Sequence, residues 1–226
     1  MGYRAEYDSW KADPEAWWMA AAEAIDWITP PTQALFDRGE HIYEWFADAE
    51  VNTCWNAVDR HVEAGRGDQV AIIYDSPITG TASKTTYAEL QTQVATLAGA
   101  LAAKGVGIGD RVIIYMPMVP EALVAMLACV RLGAVHSVVF GGFAANELAV
   151  RIDDCAPKAV IAASCGIEPG RVVAYKPLLD GAIELAEHTP DFCVILQREQ
   201  GPCELGPRDL DWNDFQGGVA PAACVP

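Results

Sequence analysis

Three stretches of this chain carry residue types that could meet a phosphate or a nucleotide. Gly105-Val106-Gly107-Ile108-Gly109 has the glycine density of a dinucleotide-binding turn. Such a turn follows a strand and opens a helix. This one follows a helical pattern and feeds an apolar run, so a helix end and a tight turn account for it. Gly80-Thr81-Ala82-Ser83-Lys84-Thr85 approaches a phosphate loop, but that pattern needs Gly directly before the Lys, and Ser83 stands there. A hairpin tip explains it better. The third stretch, Ser164–Arg171 (SCGIEPGR), is a polar loop; its Glu168, like Asp153-Asp154, reads as a lone acid with a surface or capping role. No Ser–His–Asp grouping, nucleophile elbow or paired-carboxylate spacing stands out. The seven cysteines, at 54, 129, 155, 165, 193, 203 and 224, include no C-x-x-C, and the four histidines have no ligand spacing. This set reads as reduced, buried thiols of a cytosolic protein, with no protein-built metal site. Arg66-Gly67-Asp68 reads as a turn.

The elements that must position any site are organised around Arg111–Phe143. Arg111–Met116 is apolar and β-branched, which suits a buried strand. Pro117 and Pro120 break it, and proline fits the first turn of a helix. From Glu121 the apolar residues run almost all round a helix. Gly133 stands where a left-handed C-cap belongs. Val135–Phe140 is a second strand, ended by Gly141-Gly142. Strand, helix, strand in this length is a βαβ unit with parallel strands. A membrane span does not fit, because Pro117, Pro120, Glu121, Arg131 and His136 leave no run of about 18 uncharged apolar residues.

The pattern continues. A helix is expected over about 145–155, its N-cap Ala144 costing about 1 kcal/mol against Ser. Strands are expected at 159–163 and 192–196, with a helix at 176–188 between them. Residues 111–196 therefore read βαβαβαβ, a parallel α/β sheet. Ligands bind beyond the carboxyl ends of such strands. That places the site edge near 117–120, 141–143 and 164–171. Upstream, 70–74 and 84–86 read as a hairpin, and Thr86 with Glu89 forms a capping box for a helix ended by Gly105. Downstream of Gln197 the chain turns Pro/Gly-rich. Residues 209–215 fit one helical turn, and GGVAPAACVP trails off with no closing element.

Residues 1 to about 60 differ in kind. Six of the seven tryptophans lie there: Trp10, Trp17, Trp18, Trp27, Trp45 and Trp55. Asp13-Pro14-Glu15 marks a helix start running to about Ile28, and a second helix is expected over 53–64. Aromatics this dense act as packing anchors, so the segment reads as an appendage laying its Trp side chains on a larger body. The fold class is thus α/β: a mostly parallel sheet flanked by helices, with a Trp-rich helical N-terminal appendage. The 226 residues suffice for a sizeable core. The 31 acidic against 15 basic residues give a net charge of −16, which repels phosphate backbones and argues against nucleic acid. The N-terminal MGYRAEYDSW has no signal-peptide pattern, and Glu6 breaks the myristoylation pattern.

Three stretches resemble the AMP-forming short-chain acyl-CoA synthetases of the adenylate-forming superfamily. They are Trp45-Phe46 through Asn52 to Asp59-Arg60-His61, the run YMPMVPEALVAMLACVRLGAVHSVVFGGF at 115–143, and SCGIEPGR at 164–171. The last, continuing into VVAYKPLLDGAI, looks more like propionyl-CoA synthetase than acetyl-CoA synthetase. The resemblance implies a Trp-rich N-terminal region at 1–62, and at 63–226 the first part of a large AMP-binding domain, stopping before the phosphate loop. It implies activation of a short-chain carboxylate with Mg·ATP to an acyl-adenylate and transfer of the acyl group to CoA. On this reading the ATP, Mg and acyl contacts and the catalytic Lys lie beyond Pro226, and the chain alone is inactive. What remains is part of the CoA entry side. Gly142 matches a glycine against which the CoA nucleotide packs. Arg171 matches an arginine that pairs with CoA phosphate, a role suited to a guanidinium fork. Glu168 stands where acetyl-CoA synthetases often carry another arginine, and an acid there does not pair with phosphate. An open sheet edge left by such a stop would favour a homo-oligomer.

Overall fold

The structure, a computed structural model, describes residues 2–225. Pro226, where the sequence reading sets the stop, lies outside them. The chain opens with α1 (Tyr3–Ala12) and α2 (Pro14–Ala22). Asp13 caps α2 by accepting the Ala16 N–H at 3.0 Å, and Pro14 occupies the first turn, as their residue types dictate. Helix α2 ends at Ala22, short of the expected Ile28, because the Trp27 indole N–H takes the Ala22 carbonyl at 2.8 Å and terminates the ladder.

A ribbon of β1 (Leu35–Asp37) and β2 (Tyr43–Trp45) follows. The tryptophans meet edge to face: Trp17 against Trp18 at 4.8 Å and Trp18 against Trp45 at 4.9 Å. None of the six is fully buried. The expectation that they anchor the segment to the larger body is therefore corrected. That anchor is the helical stretch 53–66 and the residue before it. The stretch is wound partly as π turns over Trp55–Asp59 and Val62–Arg66. Asn52, Cys54, Val58 and Asp59 are buried there.

Strands β3 (Val70–Ser76) and β4 (Thr81–Thr86) form the expected antiparallel hairpin, longer than the sequence reading allows, with Gly80 at φ +64° in its tip. The Thr86–Glu89 capping box starts α3 (Tyr87–Ala103): Thr86 N–H donates to Glu89 at 2.8 Å, and Glu89 N–H to the Thr86 hydroxyl at 3.3 Å. Gly105, at φ +82°, turns the chain after α3 and opens no helix.

The sheet then builds in chain order: β5 (Arg111–Met116), α4 (Pro120–Arg131), β6 (Val135–Phe140), α5 (Ala145–Cys155), β7 (Ala159–Ala163), β8 (Cys165–Glu168), β9 (Arg171–Ala174), α6 (Lys176–Leu185), β10 (Phe192–Leu196), β11 (Asp209–Asp211) and α7 (Trp212–Phe215). Five strands lie in the order β11-β10-β7-β5-β6, and every pairing is parallel. Ile114 stands opposite both Val138 and Ile161. Val112–Tyr115 and Ala159–Ala163 are buried on both faces, which is why they read as continuous apolar runs. Each fully buried Ile contributes roughly 1.5–3 kcal/mol relative to exposure. Helix α4 packs on α3, and α5 on α6. Right-handed crossovers put α4 on one face of the sheet and α5 and α6 on the other.

Three expectations are corrected. SCGIEPGR is not a loop: Pro169 and Gly170 (φ +79°) turn β8 into β9 as an antiparallel hairpin, Glu168 opposite Arg171. Residues 209–211 add a fifth parallel strand before the helical turn. The tail after Phe215 is docked. Ala222 N–H donates to Ala95 O and Val225 N–H to Arg131 O, each at 2.9 Å, and the Asn52 amide donates to Val225 O at 2.6 Å. An extended Pro-containing segment forms no helix of its own, but its N–H groups reach a mid-helix carbonyl of α3, Ala95, and the last carbonyl of α4, Arg131.

Candidate functional site

Strands β5 and β7 are neighbours, yet the chain leaves them for helices on opposite faces. The crevice beyond their carboxyl ends is where an open α/β sheet binds ligands. A cleft of about 430 Å³ lies there. Met116–Val119 at and past the end of β5, Phe140 and Gly141 at the end of β6, Ile167 and Glu168 of β8, Arg198 past β10 and the β3–β4 tip form its walls. A cavity of about 480 Å³ beside Trp27, Pro30 and Pro31 is larger. It is almost wholly apolar, and only Glu23 brings a charge, so it lacks the converging polar groups of a small-molecule site.

Tyr175 forms the floor of the cleft. It is buried, and its ring sits 5.1 Å from that of Tyr115. Its phenol end presses on two glycines: a Cβ built on Gly166 would lie 2.2 Å from the Tyr175 hydroxyl, and one on Gly141 2.6 Å. Glycine is required there by space. At Gly142 the reason differs. A Cβ would meet the Tyr175 ring at an ordinary 3.7 Å, but the backbone has φ +89°, which L side chains rarely adopt. The Tyr115 hydroxyl donates to Phe143 O at 2.8 Å and fixes the far side of this glycine turn. Burial pushes the Tyr115 phenol up to about 12. Burial, then the charge of Glu168, raises Tyr175. Both phenols stay neutral at physiological pH and act as shape and hydrogen-bonding groups.

The charged residues flank this floor. Glu168 lines the cleft. Arg171 reaches back to it across the hairpin, its Nη2 and Nε at 2.6 and 2.7 Å from the same carboxylate oxygen. Only part of the guanidinium is used, and Arg171 is 70% exposed, so its remaining N–H groups face solvent. The structure thus brings Gly142 and Glu168 together around Tyr175 and sets Arg171 at the outer end of the same hairpin. Arg198 also belongs to the cleft. Its backbone N–H binds Ser164 Oγ at 2.9 Å, and its guanidinium donates to Cys165 O at 3.1 Å. The sequence reading misses Arg198 and Tyr175. The available signal for Arg198 is its place just past the carboxyl end of β10; Tyr175 gives none, because its role comes from glycines 9 to 34 residues away.

The family model of the acetyl-coenzyme A synthetase N-terminus matches residues 3–57, and that of the AMP-binding enzymes matches 58–213. An uncharacterized protein of Pseudomonas aeruginosa is 53% identical, over all of this chain and 36% of its own length. The human mitochondrial acyl-CoA synthetase short-chain family member 3 is 47% identical over 99% of this chain and 33% of its own. The acetyl-coenzyme A synthetase of Streptomyces avermitilis is 43% identical over 92% of this chain and 32% of its own. The chain therefore spans about a third of the length of the curated relatives it matches. Acetoacetyl-CoA synthetase from Streptomyces lividans superimposes at a TM-score of 0.87 and 26% identity, over all of this chain and 34% of that one. No helix among the described residues is long and apolar enough to cross a membrane. With two adjoining family matches running from residue 3 to 213 over a shared fold, this chain belongs to the AMP-binding enzyme family and carries an N-terminal segment of the acetyl-coenzyme A synthetase type.

Proposed function

We propose that this chain is the N-terminal part of a propionyl-CoA synthetase, and that its cleft admits CoA. The reaction of the whole enzyme joins propionate, ATP and CoA into propionyl-CoA, AMP and pyrophosphate through an acyl-adenylate. One observation carries the reading. The hairpin that bears Glu168 and Arg171, and the turn that bears Gly142, meet around Tyr175 at the carboxyl ends of parallel strands. In this reading the Gly142 turn gives a nucleotide a close approach to backbone, and Arg171 offers phosphate the N–H groups that Glu168 leaves free. Glu168 opposes that contact. We assign residues 1–62 to the Trp-rich N-terminal region and 63–226 to the first part of the AMP-binding domain. The contacts to ATP, Mg and the carboxylate belong to the part of the relatives that this chain does not span. Acyl-adenylate chemistry rests on positioning and electrostatic stabilisation of the transferring groups. We therefore assign no catalysis to these 226 residues, and place the protein in the cytosol on its unpatterned free thiols.

Calorimetry of this chain with CoA tests the reading: weak binding that Arg171→Ala abolishes supports it, and binding indifferent to Arg171→Ala overturns it. ATP–pyrophosphate exchange driven by propionate or acetate on the same 226 residues would overturn the assignment of no catalysis. Exchange by the longer protein with each acid decides between propionate and acetate. A second reading has its own observation. Strand β6 is a sheet edge with Val135, Val138 and Phe140 exposed, which favours a homo-oligomer. A clean monomer in light scattering would remove it.

A further inference from the structure

We propose that Cys54 and Cys224 form an oxidation site: a peroxide joins their thiols in a disulfide that ties the C-terminal segment of this chain to the N-terminal one. The residues lie 170 positions apart. Their sulfurs and a carboxylate oxygen of Asp59 all fall within 4.8 Å of one another. Cys54 Sγ is 3.8 Å and Cys224 Sγ 3.7 Å from the same Asp59 oxygen, each thiol donating to it. Closing the bond brings the sulfurs to about 2.05 Å.

The same three groups have the spacing of a metal site, but their surroundings exclude a cation. Arg131 donates to both Asp59 oxygens, at 2.7 and 3.0 Å, and Gln91 to one at 2.8 Å. The Arg131 guanidinium also lies 3.5 Å from Cys54 Sγ. A fixed positive charge at that distance repels a metal ion and favours a sulfur anion. The adjacent Cys224 thiol, and after it Arg131, draws the Cys54 thiol below its ordinary range against the opposing effect of burial. The adjacent Cys54 sulfur, and burial, push Cys224 up. Cys54 is fully buried, whereas Cys224 is only partly so and is the sulfur a small oxidant reaches.

The chemistry closes with a hydroperoxide as oxidant. The Cys224 sulfur attacks a peroxide oxygen, the O–O bond breaks as the thiol proton passes to the departing oxygen and water leaves, and Cys224 becomes a sulfenic acid. Cys54 sulfur then attacks Cys224 sulfur, the S–O bond breaks, and water leaves. Starting from the two thiols, hydrogen peroxide yields the disulfide and two waters. The product adds a covalent tie to a tail that is otherwise held by hydrogen bonds to Ala95, Arg131 and Asn52.

The cysteine positions make the test clean. Trypsin releases Cys54 in the peptide Gly39–Arg60 and Cys224 in Asp209–Pro226, each as the sole cysteine of its peptide. The folded chain is treated with hydrogen peroxide, its free thiols are blocked in denaturant, and the non-reduced digest is read by mass spectrometry. The expected result is one dominant species joining these two peptides, lost on reduction and in both Cys54→Ser and Cys224→Ser. In the oxidised wild-type chain the amides of Ala222 and Val225 should exchange about tenfold more slowly, because the tie suppresses local opening. The wild-type map decides the matter even where a serine variant misfolds. Scrambled pairs, or sulfinic and sulfonic acids at Cys224 without the cross-link, would overturn the proposal.

Discussion

Arg131–Asp59 and Arg171–Glu168 are both arginine–carboxylate pairs, at 2.7 and 2.6 Å, yet they live in opposite surroundings. In the first the side chains are 7% and 5% exposed; in the second, 70% and 48%. The buried pair is bidentate and every neighbour adds a bond: Gln91 to Asp59, Ala222 O and Cys54 to Arg131. It joins the N-terminal segment, helix α4 and the docked tail at one point. The exposed pair spans one hairpin turn and leaves guanidinium N–H groups open to solvent. Matching chemistry thus ties segments together where water is excluded and leaves donors open to solvent where it is not.

The sharpest way to break this contrast is Arg131→Ala. It strands a buried carboxylate and should cost about 3–5 kcal/mol in urea unfolding, whereas Arg171→Ala should cost about 1 kcal/mol or less. Equal losses would end the comparison. Acid should separate the two further. Burial opposes ionisation of Asp59, but the Arg131 and Gln91 hydrogen bonds outweigh it and hold the carboxyl below its usual range. Its contribution is therefore complete above the unfolded value of about 3.9 and lost as pH falls through the lower folded value. In unfolding midpoints followed down that window, the wild type should lose stability that Arg131→Ala has already lost.

Next in size is Gly166→Ala. Its Cβ would collide with the buried Tyr175 hydroxyl, so about 1–3 kcal/mol should be lost in the same unfolding measurement, and the cleft floor should shift with it. Alanine tolerated without loss would show that Tyr175 does not set the floor. Thr86→Ala removes one half of the capping box far from either pair and should lower stability by about 1 kcal/mol, read as a drop in thermal midpoint. Smallest is Glu168→Gln, within about 0.5 kcal/mol of wild type in stability. Calorimetry should nonetheless show tighter CoA binding, because Arg171 loses its competitor. Weaker binding would make Glu168 a ligand and not a rival.

The amino-acid sequence by itself determined the alternation of strand and helix from 111 to 196. Apolar runs of strand length, Pro120 at a helix start and Gly133 at φ +67° after a helix end are local effects, written where they act. It also determined the Asp13 cap and the Thr86–Glu89 box, and it set Gly105 aside as a turn. The hairpin at 165–174 escaped it, because Cys165, Ile167, Val172 and Val173 are too few to show a period against the turn residues between them. Only the tertiary structure decided the strand order β11-β10-β7-β5-β6, the seat of Tyr175 between Gly141 and Gly166, and the place of Arg198 at the cleft. It alone turned Arg131, which the sequence shows as a charge interrupting an apolar run, into the partner of Asp59 seventy-two residues away. Periodicity and capping are set by neighbours a few residues apart, whereas the identity of a distant partner appears only when the chain has closed around it and removed the water that would otherwise satisfy both.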